Sequence, residues 1–189
     1  MTKSSNSKSI ATSLDIDPET KQFMNLYFKD KEMVELLNRR DQQVSYEVVS
    51  SRTLSHWEGC GLLTVEREKG EWRRKFSLMD MLWLYIMSQL RTDYEISLDK
   101  LLLIKESLED LKDKYGVPMP VLEVFTALAL TKRKDVVLII FPDCSAKPFL
   151  FKYARELLRD FDKTSFIIIN LNKILELVLP KYQWVKENI

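Results

Sequence analysis

The chain has few of the residues on which disulfide-rich, zinc-binding and many catalytic proteins depend. It contains two cysteines, Cys60 and Cys144, and one histidine, His56. Two distant cysteines are too few for a disulfide framework, and one histidine cannot build a zinc site or a catalytic dyad by itself. Glycine-rich phosphate loops and Gly-x-Ser-x-Gly motifs are also missing. We therefore expect no cofactor, no metal and no enzymatic activity, in a reducing cytoplasm.

Long apolar runs and a surplus of one charge are missing as well. Nowhere do about 18 apolar residues follow one another, so we expect no membrane span. The 29 basic and 28 acidic residues give a net charge of +1, so any affinity for nucleic acid must come from a local cluster of cations. Residues 1–18 are rich in Ser, Thr and Lys, lack a signal-peptide core and predict a flexible leader.

The N-terminal half carries helical periodicity and clear helix starts. Apolar residues at three- and four-residue intervals predict one or two helices over residues 20–40. A short helix is predicted to begin with Ser51 as its N-cap. Ser77 and Asp80 form a capping box ahead of an apolar helix. Ser97 caps a further helix, which we expect to stop near residues 116–118.

The C-terminal part changes character. An unbroken apolar run at residues 136–141 predicts a buried strand, and residues 165–170 repeat the strand signature. Helices are predicted at residues 121–131, before the first strand, at the amphipathic residues 151–161, between the two strands, and at residues 171–179, after the second. The predicted fold class is therefore mostly α with small β elements, a small α/β segment closing the chain.

The short helix after Ser51 has the pattern of a DNA-recognition helix. Leu54 and Trp57 are three residues apart and can face the core together. The residues that then face outward are Ser51, Arg52, Ser55 and His56. Hydroxyl, guanidinium and imidazole groups at a helix start are suited to phosphates and base edges.

A basic β-hairpin is predicted next. Strand-like runs at residues 62–65 and 72–76 flank a turn-forming stretch. The hairpin residues with which we expect it to contact DNA are Arg67, Lys69, Trp72, Arg73, Arg74 and Lys75. Because side chains alternate along a strand, Arg73 and Lys75 share one face while Trp72 and Arg74 share the other. Whichever face of the strand packs against the protein, the other face presents cations to solvent, where they can bind a phosphate backbone.

The helix, the glycine corner and the hairpin follow one another in a long ordered stretch. It reads Val49-Ser50-Ser51-Arg52-Thr53-Leu54-Ser55-His56-Trp57-Glu58-Gly59-Cys60-Gly61-Leu62-Leu63, then Arg67, Gly70, Trp72-Arg73-Arg74-Lys75-Phe76-Ser77 and Asp80. This order resembles the MerR-type winged helix-turn-helix transcriptional regulators over about residues 44–98. That family usually continues into a long dimerising helix. Here Pro118 and Pro120 interrupt the chain, so the resemblance does not cover the C-terminal part.

The resemblance implies sequence-specific binding to double-stranded DNA as a homodimer, with transcription as the readout. The outward residues of the short helix would meet the groove, and the hairpin residues Arg67, Trp72, Arg73 and Arg74 the flanking backbone. We accordingly interpret residues 19–113 as N-terminal helices plus a winged helix-turn-helix. Residues 119–189 are interpreted as a dimerisation or sensing segment that takes an effector or a protein partner.

Two other functions remain open at this stage. One is an excisionase-like architectural factor of a mobile element, which would use a similar winged fold to bend DNA. The other is a winged-helix protein-interaction module without DNA affinity. Its support is the near-neutral net charge and Ser55, which occupies a position that is usually basic in MerR-type regulators. For either DNA-binding function, we expect the protein to lie in the cytoplasm, associated with the nucleoid.

Overall fold

The computed structural model describes residue 11 and residues 14–40, 49–64, 74–160 and 165–179. Over these residues the protein is mostly helical, with a small three-stranded antiparallel sheet. That part of the predicted fold class is confirmed. The predicted hairpin falls mainly on residues 65–73, which lie outside the described residues, so the winged helix-turn-helix stays a prediction. Most of the predicted leader lies outside them too.

Two short helices come first, α1 (Pro18–Tyr27) and α2 (Lys31–Asn38). The carboxylate of Asp17 caps α1 and that of Asp30 caps α2, each by accepting a backbone N–H in the first helical turn. Such caps satisfy N–H groups that have no partner within the helix. The periodic segment at residues 20–40 therefore folds as two helices.

Three further helices are each preceded by a serine: α3 (Ser51–Gly59), α4 (Leu78–Thr92) and α5 (Leu98–Leu108). The predicted capping box of Ser77 and Asp80 is confirmed, since each side chain accepts from the other residue's backbone N–H. Ser97 caps α5 as predicted. The predicted cap of α3 is wrong by one residue. Ser50 is the extended residue whose hydroxyl accepts a backbone N–H, and Ser51 is the first residue of the helix.

Helix α5 ends earlier than its sequence predicts. A helix was expected to run on to Gly116, but α5 ends at Leu108. Leu111 has a φ of 70°, and a right-handed helix cannot continue through a left-handed residue. Leu111 is also 36% exposed, so core packing does not hold another turn there. A separate single turn, α6 (Lys112–Tyr115), follows.

The sheet has the order β2-β1-β3 with both pairs antiparallel. Its strands are β1 (Val136–Ile140), β2 (Ala146–Leu150) and β3 (Ile167–Asn170). The strands predicted near residues 136–141 and 165–170 are confirmed. Strand β2 was not predicted, because Lys147 and Pro148 interrupt its apolar pattern. It lies at the sheet edge, where a residue without an N–H is tolerated.

Strand β1 is buried along its whole length, which explains its unbroken apolar run. Val136, Leu138 and Ile140 belong to the main hydrophobic core. Val137 and Ile139 point the other way, into a second, smaller cluster. A strand covered on both faces needs an apolar side chain at every position.

Three helices complete the described fold: α7 (Pro120–Lys132), α8 (Phe151–Asp160) and α9 (Leu171–Val178). Helix α7 packs against α1, α5 and the sheet, whereas α9 packs against α4 and β1. The main core is consequently continuous from Met24 to Val178. Segments 19–113 and 119–189 share that core. Of the helices described, none has both the length and the apolar character needed to cross a bilayer.

A hydrogen bond between two ionisable side chains lies inside this core. The Tyr27 hydroxyl donates to Oε1 of Glu123 at 2.6 Å, joining α1 to α7. Glu123 is only 1% exposed, and burial raises its pKa to about 7, although hydrogen bonds with Tyr27 and Asn38 partly oppose the rise. Burial and the nearby Glu123 also raise the pKa of Tyr27, so the hydroxyl keeps its proton.

We expect Glu123→Gln to change how stability depends on pH. The folded pKa of about 7 lies above the ordinary value of 4.5, so the folded state holds the proton more tightly. This proton makes its full contribution to the free energy of unfolding below the ordinary pKa. The contribution, up to roughly 3 kcal/mol, is lost as the pH rises through the pKa of the folded state. Urea unfolding between about pH 5 and about pH 8 should show the wild type losing stability relative to Glu123→Gln.

The matched control is Glu176→Gln, at an exposed glutamate whose side chain is 61% accessible. Its stability should follow that of the wild type at every pH. Parallel curves for the wild type and Glu123→Gln would contradict the assignment of the raised pKa to Glu123.

Candidate nucleic-acid interface

Helix α3 turns opposite faces to the core and to solvent. Leu54 and Trp57 are buried, at 2% and 5% exposure, as their spacing predicts. The predicted DNA-binding residues on the other side are all exposed, namely Ser51, Arg52, Ser55 and His56. The predicted orientation of the helix is therefore confirmed, and contact of these residues with DNA stays a prediction.

The glycine corner ends α3 with a left-handed residue, as expected from the sequence. Gly61 has a φ of 76°, and its N–H donates to the carbonyl of Glu58 at 3.0 Å. The N–H of Leu62 donates to the carbonyl of Trp57 at 2.9 Å. This pair of bonds is a Schellman motif, which satisfies the last carbonyls of a helix. It also turns the chain away from α3 toward residues 65–73.

Arg74 joins the far end of the predicted hairpin to α3. Its Nε donates to Oε2 of Glu58 at 3.3 Å, and its Nη2 donates to Oγ of Ser55 at 2.7 Å. The side chains of Arg74 and Glu58 are 13% and 28% exposed, so water only partly screens the pair. Ser55 in turn donates its hydroxyl to the Ser51 carbonyl at 3.0 Å. We refer to Arg74, Glu58 and Ser55 together as the Arg74 contact.

The Arg74 contact shapes the charge of the α3 surface. Glu58 is the one acidic residue in α3, and an unpaired carboxylate there would repel a phosphate backbone. The guanidinium of Arg74 neutralises it and holds residue 74 against the helix. Arg74 and Ser55 were both predicted to contact DNA, and the structure engages their side chains with each other. We assign Arg74 a positioning role.

A groove of about 630 Å³ runs between α3 and the C-terminal end of α4. Its polar lining includes Arg52 and His56 from α3 and Arg91 from α4, with the hydroxyls of Ser88 and Thr92 beside them. None of the described residues that line it is acidic. Guanidinium and hydroxyl groups are the usual partners of phosphate oxygens, so this groove suits a nucleic-acid backbone.

Sequence reasoning missed the α4 side of this groove. Residues 78–92 were interpreted as an apolar core helix, and nothing in the order of the chain indicates that its last turn reaches α3. The spacing of Ser88, Arg91 and Thr92 does place them on one helical face. That spacing was the available signal, but it does not identify what the face lies against.

Of the remaining residues predicted to contact DNA, one is described and four are not. Arg67, Lys69, Trp72 and Arg73 lie outside the described residues. Lys75 is described and is partly buried. Phe76, the next residue along the chain, lies in the core at 1% exposure. Within the described part of the chain, no three His, Cys, Asp or Glu side chains are grouped so as to hold a metal ion.

Comparisons of the chain with models of protein families, with curated proteins and with solved structures found no match. The resemblance to MerR-type regulators therefore stays a prediction from the sequence.

We expect the Arg74 contact to contribute measurably to stability. In a double-mutant cycle of Arg74→Ala and Glu58→Ala, the coupling energy should be about 1 kcal/mol, because the pair is largely removed from water. Chemical unfolding of the wild type, both single variants and the double variant measures it.

Lys173 and Glu176 provide the comparison, since they form an ion pair of 2.8 Å with side chains 70% and 61% exposed. Their coupling should stay below about 0.5 kcal/mol because solvent screens exposed pairs. Equal coupling in the two cycles would show that the Arg74 contact does not fasten residue 74 to α3.

Proposed function

We propose that the protein binds double-stranded DNA, with α3 in the major groove and the adjacent phosphate backbone along the groove between α3 and α4. The observation that carries this proposal is the exposed surface on which the cations Arg52 and Arg91 lie beside His56. No described residue lining the groove opposes it with negative charge. A net charge of only +1 provides little electrostatic attraction to DNA, so this local arrangement of cations has to supply it.

The dimensions of α3 fit a recognition helix. A major groove about 12 Å wide accepts one α-helix of about 10–12 Å diameter. Ser51 and Arg52 lie in the first turn, where the helix dipole and the backbone N–H groups favour an anion. Arg52 and His56 are four residues apart and project from the same side. They are the side chains that we expect to reach base edges.

The flanking contacts divide between the groove and the hairpin. Arg91 is placed to meet the backbone on the α4 side. The sequence assigns the other side to Arg67, Lys69, Trp72, Arg73 and Lys75, and the Arg74 contact would fix where they emerge relative to α3. In this arrangement α3 reads the sequence, and the surrounding cations set the register and the affinity.

Transcriptional regulation is the biological role that we propose for this binding, in line with the resemblance to MerR-type regulators. Two copies on a two-fold site would place the α3 helices one helical turn apart, about 10–10.5 base pairs. An excisionase-like factor would use the same surface to bend DNA beside a recombination site. Both roles place the protein on cytoplasmic DNA, and neither requires enzymatic chemistry.

A salt titration of DNA binding tests the proposal. Fluorescence anisotropy with labelled duplexes should give an affinity that falls linearly on a log–log plot against salt. Arg91→Gln should weaken binding and lower the slope by about 1, the effect of one lost phosphate contact. Arg52→Gln should weaken binding by about 1–3 kcal/mol and relax the preference for the base that Arg52 contacts. The charge-matched control is Arg155→Gln on α8, which removes an exposed cation outside the groove and should leave the slope unchanged.

A protein-interaction module without DNA affinity is the competing function, and one observation favours it: the Ser55 hydroxyl is already bound within the protein. Absence of binding at low salt would support that module. So would binding that responds equally to Arg52→Gln, Arg91→Gln and Arg155→Gln.

A further inference from the structure

A partly open cavity of about 270 Å³ lies between α4, α5 and α7. At about 30 Å³ per water it has room for roughly nine water molecules, near the lower end of the range for ligand pockets. Leu62, Leu63 and Thr64, which begin the predicted hairpin, line one wall. Ser77, which follows the hairpin, lines it as well. Both ends of the hairpin therefore border one cavity.

The charges around this cavity are paired, with one exception. Arg40 Nε lies 2.9 Å from Oδ2 of Asp80, and Lys105 Nζ lies 3.2 Å from Oε1 of Glu109. Glu123 lines the same cavity and is 1% exposed. Its hydrogen-bonding partners, Tyr27 and Asn38, are neutral, and no cation among the described residues compensates it.

An apolar surface lines the same cavity. The side chains that supply it are Leu62, Leu63, Met79, Trp83, Val117 and Met119, all buried. The indole N–H of Trp83 is already used, donating to the Leu62 carbonyl at 3.0 Å, so the ring offers its apolar face. A molecule that fills this space therefore needs an apolar body and one group that satisfies Glu123.

We propose that the cavity binds a small primary amine, whose ammonium group pairs with Glu123 and whose apolar part packs beside Trp83. A buried carboxylate is costly unless a cation or a full set of hydrogen bonds compensates it. An ammonium group supplies both the charge and the donors. An anionic ligand would add a second negative charge next to Glu123, and a neutral ligand would leave the charge uncompensated.

Occupancy of the cavity acts on the ends of the hairpin. The start of the hairpin is held by the Trp83–Leu62 bond and by Lys105, whose Nζ donates to the Gly61 carbonyl at 2.7 Å. Its end is held by the Ser77 capping box. A ligand between these points changes how firmly the two ends are fixed. This regulatory consequence rests on the proposed DNA-binding function, whereas the site itself does not.

Calorimetric titrations of the free protein test the site without DNA. The probes are benzylamine and isobutylamine, each compared with the alcohol of the same skeleton and with benzoate as the anionic analogue. They are used at about pH 8, where the Glu123 carboxyl, with a pKa of about 7, is mostly ionised. Each amine should bind about tenfold or more tightly than its alcohol, with benzoate weakest. No binding of either amine at millimolar concentration, or equal binding of amine and alcohol, would overturn the proposal.

Two variants locate the binding. Glu123→Gln keeps the size of the side chain and removes its charge, so the preference for amine over alcohol should disappear. Glu176→Gln, at an exposed position on α9, should keep it. Amide shifts of Leu63, Thr64 and Val117 on adding benzylamine to the unaltered protein give a second readout that does not depend on how the variant folds. A preference that survives Glu123→Gln, or shifts confined to other parts of the fold, would reject the site.

A separate arm measures DNA affinity with and without saturating benzylamine. A change that is present in the wild type and lost in Glu123→Gln supports coupling between the cavity and α3. Amine binding with unchanged DNA affinity rejects the coupling and leaves the site standing. If the protein binds no DNA at all, the proposed function fails while the calorimetric result still decides the site.

Discussion

Leu54 and Trp57 lie three residues apart on a nine-residue helix, and burying both leaves α3 only one way to face. The proposed DNA-binding surface depends on that constraint. With those two side chains in the core, Arg52 and His56 must project into solvent, and the groove beside α4 must open next to them. Polar replacement of Leu54 or Trp57 would therefore disturb the whole surface, even though neither residue is expected to contact DNA.

The shared core extends this constraint through the rest of the chain. Helix α9 packs on α4, the helix that carries Arg91. The C-terminal segment therefore helps to position Arg91 at the groove. Lys105 on α5 and Trp83 on α4 hold the chain just after α3. The Arg74 contact holds residue 74 against α3. The described residues on either side of residues 65–73 are thus anchored to the scaffold that orients α3, and the cavity that Glu123 lines borders Trp83 and Lys105.

Local chemistry in the sequence predicted much of this fold. Serine caps, the capping box and the Gly61 corner are readable because each depends on residues that are close in the chain. The orientation of α3 followed from the spacing of Leu54 and Trp57. The sequence did not indicate where α5 ends, because the left-handed Leu111 has no local signature. The position of Arg91 at the groove beside α3 and the pairing of Arg74 with Glu58 also escaped prediction, because each brings together elements that are distant in sequence.

The most direct test of the central claim is a residue-by-residue map of the surface that meets DNA. Backbone amide shifts should be recorded by NMR while a duplex is added at low salt. We expect the largest shifts at Ser51, Arg52, His56 and Arg91, with little change in β1, β2 and β3. Largest shifts on the sheet or on α8, with α3 unaffected, would contradict the account.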